Sequence, residues 1–189
     1  MLSMSIFTYL LISFSVFFLS LVEVRNSAEA FPIKLTRGLA VACVTAIVEC
    51  AMMAVGMIVA NLLPHYEFQD VNNMIFIGLA LVVAIRFLMS AFGKAKEKPV
   101  FDLSRWAGVL SLAVAYGLNI FLVGLAAGFK ASFAADCYKS LIPLFLCTFF
   151  AVYLAIMLGR QKMKIKSRRW MIVSTVFLLV FVLKCALDY

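Results

Sequence analysis

The sequence is short of charge. Only 14% of its 189 residues are Asp, Glu, Lys or Arg, against 66% hydrophobic ones. Ordinary globular chains are about half apolar, so a soluble domain of this length has too little polar surface to cover such a core. The five cysteines (Cys43, Cys50, Cys137, Cys147 and Cys185) include no C-x-x-C pair. That excludes a thioredoxin-like dithiol and the usual zinc spacing, and leaves cysteine in its common role as a small buried hydrophobe. The single histidine, His65, has Glu67 and Asp70 nearby, but their spacing matches no closed metal site and reads as a solvated loop. The N-terminus, MLSMSIF, has no lysine or arginine. Its apolar stretch also exceeds the roughly 7–15 residues of a secretory signal core, so the A-x-A pattern at Ala28 and Ala30 is not read as a cleavage site.

What the sequence does have is a series of long apolar runs and a mean hydropathy of +1.09. Such runs cross the ~30 Å hydrocarbon layer as helices. The pattern predicts an all-α integral membrane protein with one membrane domain over residues 1–189. Its six predicted transmembrane helices are Met4–Val22, Gly38–Leu63, Asn73–Phe92, Trp106–Phe129, Leu141–Leu158 and Trp170–Ala186. Pro64 should end the second, Pro143 should sit in the first turn of the fifth, and Trp106 and Trp170 open their helices as interfacial aromatics do.

Lysine and arginine collect on the cytoplasmic side of a membrane. Arg25, Lys34 and Arg37 lie in one connection, and Lys94, Lys96, Lys98 and Arg105 in another. Arg160, Lys162, Lys164, Lys166, Arg168 and Arg169 fill a third, which reads as a topology anchor on anionic lipid. The opposite side has only Lys130, Lys139 and Lys184, so both termini are expected outside the cytoplasm. Cys137 and Cys185 fall on that outer side and would pair if their loops meet.

Residues 1–92 and 106–189 each hold three helices, with 93–105 as a cytoplasmic connection. An odd number per half implies two inverted three-helix repeats, a common transporter design. Phe14–Leu21 lines up loosely with Leu118–Leu125, which pairs Ser15 with Asn119.

Glu49 interrupts the second apolar run about 16 Å from its inner end, close to the midplane. Its helical neighbours Ala42, Thr45, Ala46, Met53 and Gly56 are mostly small, and Thr45 can hydrogen-bond, which marks an inward face. Three readings stay open: a structural bridge to Arg86, a ligand or proton carrier, or a protonated acid that is simply tolerated. Asn119 is either an interhelical hydrogen-bonding residue or an uncharged oxygen ligand. Gly124 and Gly128 form a G-x-x-x-G spacing suited to close helix packing.

With these residues placed, the chain resembles a divergent member of the bacterial manganese efflux pump family, within the lysine-exporter superfamily. The resemblance spans nearly the whole chain. It rests on Glu49 with Gly56 seven residues on, RFLMSAF (Arg86–Phe92), LNIFLVGLAAGF, and MLGR (Met157–Arg160). It implies a transporter of the bacterial inner membrane, not an enzyme, that exports a manganese(II)-type cation by alternating access. Glu49 and Asn119 would be ion ligands, Ser15 a neutral oxygen and Thr45 part of the pathway. Arg86 would be a partner or gate, and Gly56, Gly124 and Gly128 packing points. No resident cofactor is implied. The expected partners are the lipid bilayer and the cation, not nucleic acid, and a homodimer is the oligomer left open.

One departure matters. The family carries an aspartate in the first helix of each half, where this chain has Ser15 and Asn119. Manganese(II) suits carboxylate, carbonyl and water oxygens, and Glu49 alone leaves a divalent ion undercompensated. The rival reading is therefore a degenerate, non-transporting paralogue acting as a membrane subunit or assembly partner. A thiol–electron carrier, which would use cysteines in those paired helices, is disfavoured by the same two residues.

Overall fold

Six helices account for nearly all of residues 5–63, 69–92, 100–131, 133–162 and 167–187, which the computed structural model describes. They are α1 (Ile6–Ala30), α2 (Leu35–Leu62), α3 (Gln69–Phe92), α4 (Trp106–Lys130), α5 (Phe133–Arg160) and α6 (Ser167–Leu187). By length and composition, α1, α2, α4 and the segment Asp136–Arg160 of α5 can each cross a membrane, and α3 contributes a shorter apolar stretch, Met74–Arg86. The protein is a multi-pass membrane protein. His65 and Glu67, and the side chains of Asp70 and Cys185, lie outside the described residues.

The helices outrun the apolar stretches that predict them, because a helix persists past the hydrocarbon layer as long as its backbone bonds are met. Two expectations change as a result. α1 continues to Ala30 rather than stopping at Val22, so Glu23, Arg25 and Ser27 are helical and buried rather than in a loop. α5 begins at Phe133 rather than Leu141, so Pro143 lies inside the helix and removes an N–H from its ladder.

α2 shows how faces are assigned. Gly38, Ala42, Thr45, Glu49, Met53, Gly56 and Ala60 recur every three or four residues and are all buried. Leu39, Ile47, Val55, Ile58 and Leu62 on the other side are exposed, as lipid-facing residues of a spanning helix are. α1 is the most enclosed of the spanning helices. Its Thr8, Ser13, Ser15, Ser20, Glu23, Arg25 and Ser27 are all buried.

The substantial helix contacts are α1 with α5 and α6, α2 with α4 and α5, α3 with α4 and α6, and a small one between α1 and α4. Every one of these joins a helix of the first three to a helix of the last three. The halves are interleaved rather than two three-helix bundles set side by side. Glycine permits the closest approach, on the α2–α4 seam. A Cβ at Gly56 would strike the Phe121 carbonyl, one at Gly124 the Met53 carbonyl, and one at Gly128 the Met57 carbonyl at 2.7 Å. On the α1–α5 seam Gly159 plays this part, with a Cβ there falling 2.8 Å from that of Ala28.

Polar ties fix the ends. The Asn61 amide of α2 donates to the Gly128 and Ala131 carbonyls at 2.9 and 3.3 Å, and its oxygen accepts from the Phe133 amide at 3.2 Å. One side chain thus closes the last turn of α4 and the start of α5. At the same end, the buried Asp136 accepts from Lys139 at 3.0 Å and from the Tyr9 hydroxyl of α1 at 3.5 Å. In the 100–105 connection, the Ser104 hydroxyl and amide donate to Asp102 and hold its carboxyl below the usual carboxylate range.

Candidate functional site

At the middle of α2 the side chain of Glu49 is 1% exposed. Both carboxylate oxygens meet hydroxyls from other helices. The Thr148 Oγ1 of α5 donates to Oε2 at 2.7 Å, and the Ser20 Oγ of α1 donates to Oε1 at 3.4 Å. Among the described residues Glu49 makes no ion pair. One turn away on the same buried stripe, Thr45 returns its hydroxyl to the Val41 carbonyl at 2.9 Å. The neighbouring Cys50 thiol reaches the Leu141 carbonyl of α5 at 3.6 Å. The result is one carboxylate and two hydroxyls contributed by three helices, an all-oxygen set of the kind that hard cations prefer.

The partners expected for Glu49 are not the ones it has. Arg86 is exposed on α3, a helix that packs on α4 and α6, so its guanidinium does not reach the acid. Similar depth does not bring residues together when their helices are not neighbours. Ser15 lies five residues from Ser20 on α1, which turns it to another face. There it forms a reciprocal clasp with Ser174 of α6: Ser15 Oγ donates to the Ser174 carbonyl at 2.8 Å, and Ser174 Oγ to the Ser15 carbonyl at 2.7 Å. Asn119 is half-buried on α4; its Oδ1 is buried and accepts no hydrogen bond among the described residues. Neither Ser15 nor Asn119 is hydrogen-bonded to Glu49 among the described residues.

The sequence does not single out Ser20, Thr148 or Glu23. Glu23 reads there as the first loop residue, and a serine or threonine in an apolar run usually bonds its own backbone. Among the described residues no group of three or more His, Cys, Asp or Glu side chains could hold a metal ion. Cys137 is a free thiol.

Residues 32–185 match the family described as "Putative manganese efflux pump". The chain belongs to that family. The match takes in α2 to α6 and begins after α1, so Glu49 and Thr148 lie within the manganese efflux pump segment while Ser15, Ser20 and Glu23 precede it. No curated protein and no solved structure matches the chain.

Proposed function

We propose that the protein exports a manganese(II)-type cation across the cytoplasmic membrane by alternating access, with Glu49, Ser20 and Thr148 as the central site. The observation that carries this reading is the carboxylate at the middle of α2, buried and held by hydroxyls rather than by a basic residue. A charge at a helix centre costs about 2.5–3.5 kcal/mol on insertion scales, and residues that bear this cost commonly mark ion paths or proton relays. Family membership supplies the cargo class.

An inverted repeat fits the helix arrangement. α1 and α4 both have 25 residues, and α2 and α5 both have 28. Exchanging α1, α2 and α3 with α4, α5 and α6 maps the set of helix contacts onto itself. Matching the helix starts, Ile6 with Trp106 and Leu35 with Phe133, sets Glu49 beside the counterpart of Thr148 and Ser20 beside that of Asn119. This register replaces the pairing of Ser15 with Asn119. In it Glu49 of α2 and Thr148 of α5 correspond to within one residue, where a pseudo-two-fold axis would pass. The basic connections favour an orientation with both termini outside the cytoplasm.

Everted membrane vesicles test the reading. Wild-type vesicles should accumulate manganese above vesicles lacking the protein, and Glu49→Gln should fall to that background. Wild-type uptake no greater than background would end the export reading. It would favour the rival role as a non-transporting membrane subunit, to which the Ser15–Ser174 clasp lends support by tying one expected ligand position into helix packing.

A further inference from the structure

A single carboxylate is a poor match for a divalent cation, because one net positive charge would remain in a low-dielectric interior. The structure buries a second acid nearby. Glu23 is 7% exposed on α1. It sits three residues beyond Ser20, whose hydroxyl donates to Glu49, and residues so spaced are neighbours on one helix face, about 4.5 Å apart along the axis. Tyr116 of α4 is close enough to Glu23 to interact with it electrostatically, and at 7% exposure the acid is shielded from lipid. Ser27, the next polar position on this face, is fully buried and accepts from the Phe101 amide at 3.2 Å. Ser20, Glu23 and Ser27 thus form a polar line on α1, running from the Glu49 level toward the end of the bundle that carries the basic connections.

We propose that Glu23 is a second carboxylate of the cation path, an inference that rests on the export reading above. It supplies the negative charge that a divalent ion needs beyond Glu49, on the side from which a cytoplasmic ion enters. The preference for a divalent over a monovalent cation is then set on α1, the helix outside the family match.

The test measures equilibrium binding of manganese to the purified full chain, alongside uptake into everted vesicles, for wild type, Glu23→Gln and Glu23→Asp. Losing even an outer partner of a metal ligand costs about 10- to 100-fold in affinity. Glu23→Gln should therefore bind manganese at least about tenfold more weakly and lose its discrimination against sodium. Glu23→Asp, which keeps the charge but draws it back by one methylene, should fall between. If Glu23→Gln does not accumulate in membranes, Glu23→Asp alone decides, and an affinity equal to wild type would overturn the proposal. Wild-type transport that Glu23→Gln leaves unchanged and Glu49→Gln abolishes would overturn this inference and leave the export reading standing. A wild type that neither binds nor transports manganese would overturn both.

Discussion

Thr148 and Ser20 hold the two oxygens of Glu49 at unequal distances, 2.7 and 3.4 Å, and the proposed export makes the inequality testable. A hydrogen bond to a charged group contributes about 1.5–3 kcal/mol, and 1.4 kcal/mol is a tenfold change in rate or affinity. Thr148→Val should slow manganese uptake about tenfold or more, whereas Ser20→Ala should slow it less, compared at matched protein levels in everted vesicles. The reverse order would contradict the geometry. Glu49 itself is legible in the sequence, since an acid in an apolar run with small residues at helical spacing has to face inward. Its partners are not. Ser13, Thr45 and Thr175 all return their hydroxyls to their own helix, and nothing in the letters separates Thr148 from them. Arg86 is the natural choice when only depth is visible, because depth follows from counting residues while the azimuth of a helix, and its neighbours, do not.

Helices are the scale at which sequence and structure agree best. All six predicted spans correspond to helices, and the small-residue spacing at Gly124 and Gly128 coincides with the α2–α4 seam. Helix ends are less legible, since hydropathy reports where oil begins and not where backbone hydrogen bonding stops. That is why Glu23 is missed. The seam yields a paired prediction. Gly124→Val places side-chain atoms against the Met53 backbone, which cannot give way as a flexible side chain can. Overpacking of this kind costs about 1–3 kcal/mol and sometimes more, so a clear drop in thermal unfolding temperature in detergent is expected. Gly78 of α3 is the control: a Cβ there meets nothing within 4 Å, and Gly78→Ala should unfold within a degree or two of wild type. Equal losses at both positions would show that the α2–α4 approach does not govern stability.

For the molecule as a whole, the interleaving of the halves decides what can stand alone. Among the described residues every substantial helix contact joins the first three helices to the last three, so neither set has a bundle of its own to form. Fragments 1–96 and 97–189 should each be degraded when expressed singly and should both persist in membranes when expressed together, as an immunoblot would read directly. A first fragment that accumulated alone, monomeric and protease-resistant, would argue against the arrangement. The consequence reaches back to synthesis. As the ribosome releases this chain, α1, α2 and α3 emerge before any of the helices they will pack against. Glu49 must then wait, without one of its two hydroxyl partners, until α5 delivers Thr148.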